Sequence, residues 1–196
     1  MSTGRTPRIA VFISGGGRSM LNLHDACLGK TAQPLHAELA AVVASRACVG
    51  AEKAVARGLC VTIHPGVLTP DALLTIVDYH RIDLVVLAGY LKLLPIPERL
   101  VGRIINIHPA LLPKFGGPGM YGHHVHAAVI AAGEKVSGCT VHRCTPEFDK
   151  GDVLVQRTCP VLPGDTPDTL AARVFEQELI ALPQGVALAL ESLTLK

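Results

Sequence analysis

No stretch of the 196-residue chain stays apolar over a membrane-spanning length, and the opening MSTGRTPR has no hydrophobic segment behind its charges. Neither a transmembrane helix nor a secretory signal is therefore expected. A basic excess is missing as well. The formal net charge is +2, too small to hold a nucleic-acid backbone. No pair of the six cysteines (Cys27, Cys48, Cys60, Cys139, Cys144, Cys159) forms a CxxC, and most lie inside apolar runs. They read as small buried hydrophobes of a reducing compartment. Cys139, His142 and Cys144 lack a fourth ligand at a usual spacing, so no metal is expected. Adjacent His123, His124 and His126, with no carboxylate at ligand spacing, read as polar residues at a helix start. Repeats, low-complexity tracts and linkers are absent too. The expectation is one cytoplasmic domain over residues 1–196, its first seven residues a flexible lead-in, with neither nucleic acid nor membrane as partner.

What is present is a chain 49% hydrophobic and 17% charged, enough to build a core. Apolar runs alternate with helical patterns: RIAVFIS (8–14), ELAAVVA (38–44), Val61–Ile63, DLVVLA (83–88) and Arg103–Ile107 as strands. Helices are predicted over Ser19–Leu28, Val49–Gly58 and from Thr69 to His80. Continuous apolar strands between helices predict an α/β fold: a mostly parallel twisted sheet with helices on both faces. After His108 the rhythm changes. A Gly/Pro loop (109–122) leads to a helix around His124–Ala132. Two strands, Gly138–Cys144 and Val153–Val161, follow and are expected to be antiparallel. A last helix starts at Thr166–Pro167–Asp168 and runs to about Leu190.

Two places carry chemistry. Ser14–Gly15–Gly16–Gly17–Arg18–Ser19 joins the first strand to the first helix. Glycines admit close approach of an anion, and helix-start N–H groups donate to it. The Rossmann fingerprint fails at Met20, and no ribose-binding acid ends the second strand, so a monophosphate is favoured over a dinucleotide. The second place is Asn106 and His108. Two residues apart in a strand, they share one face at the carboxyl edge of the sheet, where ligand crevices form. An amide N–H and an imidazolium N–H aimed together stabilise an oxygen that turns negative. Such a ring needs a carboxylate to raise its pKa. Asp149 is the best candidate, with Glu147 and Asp152 as rivals. His142 is expected either to support the site or to face solvent. The Pro109 to Pro113 spacing stiffens the exit from the strand, and Leu112–Pro113 is a candidate cis bond.

NIHPALLP (106–113), Thr140–Val141–His142 and Asp149-x-Gly151 together resemble the folate-dependent formyltransferases. The likeness extends to IAVFISGGGRS (9–19), LAGYLK (87–92) and PGDT (163–166) through Arg173, Gln177 and Glu178. It is nearest to the members that formylate phosphoribosylglycinamide in purine biosynthesis. The resemblance implies a Rossmann-like enzyme with 10-formyltetrahydrofolate as co-substrate, no metal, and a monomeric or homodimeric state. It implies that Asn106 and His108 stabilise the oxyanion while Asp149 keeps His108 protonated. It places the ribonucleotide on Gly16, Gly17, Arg18, Ser19 and Glu178. It places the folate on Leu91, Lys92, Leu93, Leu94 and Asn106 and on the loop Thr145, Pro146, Glu147, Phe148 and Asp149. Gly16 and Arg18 stand where the family often has Asn and Ser, and an Arg common in the bacterial pattern has no counterpart in 63–71. The resemblance also admits an amine acceptor such as a nucleotide-linked amino sugar. Apart from it, a non-catalytic phosphate-binding module would explain the glycine loop alone.

Overall fold

Every residue of β1 (Arg8–Ile13) after the first is buried in the computed structural model, which describes residues 4–194. Alternate side chains of this strand serve two separate apolar cores. Ile9, Val11 and Ile13 pack with Met20 and Leu23 of helix α1 (Arg18–Cys27) and with Leu170 and Val174 of helix α5 (Pro167–Thr194). Ala10 and Phe12 pack with Leu73 and Val77 of helix α3 (Pro70–Tyr79) on the other face. A strand buried on both sides has no polar face to alternate, which is why these runs are continuously apolar.

β2 (Glu38–Ala44), α2 (Val49–Ala56), β3 (Val61–Ile63), β4 (Leu84–Leu87) and β5 (Ile104–His108) continue the alternation. Helix α4 (His123–Ala131), β6 (Val136–Arg143) and β7 (Val153–Pro160) follow. The seven strands form one sheet in the order β3-β2-β1-β4-β5-β6-β7. The first five run parallel, while β6 is antiparallel to both β5 and β7. The predicted fold class is the observed one. Because β1 lies between β2 and β4, successive connections depart to opposite sides and open a crevice at the carboxyl ends of β1 and β4.

Boundaries differ modestly from expectation. β6 begins at Val136, ahead of Gly138, because Val136 and Ser137 pair with Pro160 and Cys159 of β7. α5 continues through Pro183 to Thr194. Proline removes the N–H that would reach the carbonyl four residues back. Here that carbonyl, Leu179 O, accepts from Asn22 Nδ2 at 2.9 Å, so α1 satisfies the group that α5 cannot. Of the expected flexible lead-in, residues 1–3 lie outside the described residues; Arg5 forms a two-bond ion pair with Asp83 (2.7 and 2.8 Å).

Candidate active site

Strand register assembles the centre of the site. Asn106 of β5 lies opposite His142 of β6, and His108 lies opposite Thr140. His142 Nδ1 donates to Arg143 O at 2.9 Å, a bond that requires its proton on that nitrogen. In the neutral ring Nε2 then accepts from Asn106 Nδ2, 3.2 Å away. This orients the Asn106 amide and leaves its second N–H unspent. Thr140 Oγ1 donates to Ala110 O at 2.7 Å and accepts from Leu112 N and Gln156 Nε2. The chain leaving β5 is thus pinned before it reaches Leu112–Pro113, which is cis.

The following strap returns to His108. Phe115 O accepts from His108 Nε2 at 2.8 Å, which turns Nδ1 toward Asp149 Oδ2 at 3.6 Å. Gly117 N donates to the same carboxylate oxygen at 2.9 Å, and the other, Oδ1, lies 3.4 Å from His142 Nε2. Asp149 is therefore the residue on which the strap, β5 and β6 converge. Sequence spacing alone left Glu147 and Asp152 as rivals; the register of β6 and β7 and the loop between them select Asp149. Burial opposes its ionisation, yet the His142 ring, the Gly117 N–H and the adjacent His108 together hold the carboxyl below its usual range.

Asp149 acts on His108 in the expected direction, but the expectation that the net shift is upward needs correcting. His108 is 3% exposed, and burial lowers its pKa, outweighing the Asp149 charge and the Phe115 carbonyl that favour the cation; His142 adds to the lowering. The carboxylate is in place, but desolvation wins. At neutral pH the ring is predominantly uncharged, with the Nδ1 lone pair beside Asp149.

A cleft opens in front of this cluster. Asn106, His142 and Asp149 supply polar groups, and Leu87, Leu93, Leu94 and Ile96 supply apolar wall. Lys92, Thr145, Glu147 and Phe148 complete the rim that was expected, together with Tyr90 and Cys144, which were not. His108 stands behind the lining rather than in it. Leu91 and Pro146 are exposed, and Leu91 serves instead through its backbone, its N–H donating to Ser14 Oγ at 2.9 Å. Leu87, Tyr90, Ile96 and Cys144 are the cleft residues that sequence reasoning did not place, and of the two alternatives left open for His142 the structure shows the one in the site. The signal for His142 was available in the β5–β6 pairing, once that pairing is known.

The glycine loop flanks the crevice at the end of β1. Gly17 takes a left-handed φ of 69°, and a Cβ there would meet Gly50 Cα at 2.7 Å, so this turn and the start of α2 require glycine. α1 starts without a side-chain cap, leaving its first-turn N–H groups for a ligand. Arg18 lies with its guanidinium carbon 3.9 Å from the centre of the Phe175 ring. Ser19 Oγ lies 3.5 Å from Glu178 Oε2. Burial pushes the Glu178 carboxyl up to about 7, against the opposing pull of Arg18 and Ser19. Among the described residues no group of three or more His, Cys, Asp or Glu is arranged to hold a metal.

Residues 7–186 match the family described as Formyl transferase. The chain belongs to that family. It is 39% identical over 184 residues to the chloroplastic phosphoribosylglycinamide formyltransferase of Arabidopsis thaliana, covering 89% of this chain and 62% of the relative. A Vigna unguiculata counterpart is 40% identical, with 58% of its length covered, so the chain spans about three fifths of these curated relatives. Among solved structures, glycinamide ribonucleotide transformylase 1 from Symbiobacterium toebii superposes with a TM-score of 0.85 at 32% identity, covering 97% of this chain and 90% of the other. Membership fits the geometry: the cleft, the Asn106–His108–Asp149 group and the glycine loop all lie at the sheet's carboxyl edge.

Proposed function

We propose that this chain transfers the formyl group of 10-formyltetrahydrofolate to the primary amine of 5'-phosphoribosylglycinamide. The observation that carries the proposal is the meeting of Asn106, His142 and Asp149 on one cleft wall, with His108 Nδ1 directed at Asp149 from behind. The formyl-bearing folate lies in the cleft bounded by Leu87, Leu93, Leu94 and the loop 145–149. The ribonucleotide lies along the glycine loop, its phosphate on the N-terminus of α1 and its glycinamide end toward Glu178.

Attack of the amine nitrogen on the formyl carbon forms a C–N bond and places negative charge on the formyl oxygen. The free N–H of Asn106 donates to that oxygen. Two groups orient the amide for this: the His142 ring holds its other N–H, and Arg143 O fixes the ring. The nitrogen of the attacking amine becomes acidic as the bond forms. Its proton passes to the Asp149–His108 pair, whose uncharged imidazole is the stronger base and whose carboxylate then stabilises the imidazolium. Collapse of the tetrahedral species expels the folate nitrogen, which takes up the proton held by the His108 imidazolium, passed back through Asp149, so the pair returns to its starting state. Phe115 O keeps the ring in the required orientation throughout by accepting from Nε2. No step calls for a metal.

An amine-acceptor screen with 10-formyltetrahydrofolate held constant tests the proposal. Phosphoribosylglycinamide is expected to be formylated without added metal and ahead of nucleotide-linked amino sugars. Release of formate at the same rate with and without any amine would make the chain a hydrolase and end the proposal.

A further inference from the structure

Tyr90 follows β4 and is 8% exposed, yet its hydroxyl oxygen is buried without any hydrogen-bond partner. Its ring is well held, meeting Phe12 edge to face with centroids 5.4 Å apart, and the residue lines the cleft beside Leu87, Leu94 and Asn106. A phenolic hydroxyl removed from water and left unpaired is destabilising. Phenylalanine would fill the same space and keep the aromatic contact at no such cost. Burial also raises the phenol's pKa, so the group stays a neutral O–H able both to donate and to accept. A residue that lines the cleft yet keeps its hydroxyl covered and unpaired has a partner to gain from a ligand that arrives with its own polar edge.

Resting on the function proposed above, we infer that the Tyr90 hydroxyl is a specificity-determining hydrogen-bond partner for the polar edge of the folate's pterin ring. The cleft's leucines and Ile96 suit the flat faces of such a bicycle, but flat faces alone do not distinguish a pterin from another aromatic ring. Rejection of a ring without matching polar atoms comes from a buried group that such a ring would leave unsatisfied.

The decisive experiment compares wild type with Tyr90→Phe in three measurements. The variant is expected to melt at the same temperature or higher without ligand, since it sheds an unpaired buried hydroxyl. Its Kd for tetrahydropterin and for 10-formyltetrahydrofolate is expected to rise about tenfold, the scale of one neutral hydrogen bond. Its Kd for p-aminobenzoylglutamate, which lacks the bicycle, and its KM for the ribonucleotide are expected to match wild type. Tetrahydropterin and folate affinities equal to wild type overturn the inference while leaving the proposed function standing. A variant that melts several degrees lower overturns it also, because the hydroxyl then serves the fold. A wild-type chain that binds no folate at all removes the proposed function itself, and this inference with it.

Discussion

Around Asp149 the protein supplies its own partners, whereas along Gly15–Ser19 it leaves them to the ligand. The carboxylate has a backbone N–H and two imidazoles close by, and both rings are in turn fixed by main-chain carbonyls. The glycine loop has an uncapped helix start and a carboxyl at Glu178 raised to about 7. The difference follows from what each region must do. Charge that develops during a reaction is stabilised by groups that need no rearrangement, so the first region is assembled in advance. On the function proposed above, the second region takes a phosphate, which brings full charge with it, so a row of free N–H groups suffices.

Substitutions should therefore act on turnover in one region and on affinity in the other. The largest expected effect is Asp149→Asn, which removes the anion that stabilises the His108 imidazolium formed when the ring takes the amine's proton. Turnover should fall roughly 10²- to 10⁴-fold with an unchanged circular dichroism spectrum; steady-state kinetics showing only a raised KM would erase the contrast. Next comes acid stability. His126 on α4 is 4% exposed, and burial, with His123 and His108 adding to the effect and Asp168 opposing it, lowers its pKa to about 4. The unfolded chain, at about 6.5, binds the proton first. This contribution is complete above pH 6.5 and is lost as pH falls toward 4, amounting to roughly 3 kcal/mol. Urea unfolding at stepped pH should show the loss, and His126→Gln should flatten it.

On the open side the effects are smaller. Gly17→Ala forces a Cβ into a left-handed backbone position and against Gly50 Cα at 2.7 Å. The ribonucleotide KM should rise about tenfold, the scale of one hydrogen bond to a charged group, with the folate KM unchanged. A rise in both would mean that the loop serves the fold rather than one ligand. The smallest effect belongs to Glu178. Its carboxyl is uncharged below about 7 and ionised above, so repulsion of the phosphate grows with pH. The ribonucleotide KM of wild type should increase roughly threefold across that titration. Glu178→Gln should abolish the dependence.

Much of this contrast was legible in the sequence, and the reasons are local. Alternation in a strand put Asn106 and His108 on one face, and the glycine run announced the uncapped start of α1. Asp149 could be nominated because two strands bracket its loop, but its partners depend on a strap 32 residues away at Gly117. The sign of the His108 shift was misjudged for the same reason: burial is a property of packing, and packing outweighed the neighbouring charge. His142 stayed open between site and solvent because its place depends on antiparallel register, and Tyr90 escaped because its role depends on where a phenol ends inside a core. The resemblance to the formyltransferases carried Glu178 and Leu91–Leu94, which the pattern of residues alone would have left as helix surface and core.

Ser14 ties these regions to one point. Its hydroxyl meets Ser45 Oγ at 2.6 Å and accepts from Leu91 N at 2.9 Å, while its backbone N–H donates to Gly89 O. The ends of β1 and β2 and the chain leaving β4 are bolted together through a single side chain. On the proposed function, the spacing between donor and acceptor molecules is a dimension of the scaffold, set before either one arrives. Two reactants that diffuse in separately find their mutual distance already measured out, which is where much of the advantage of an enclosed bimolecular reaction lies.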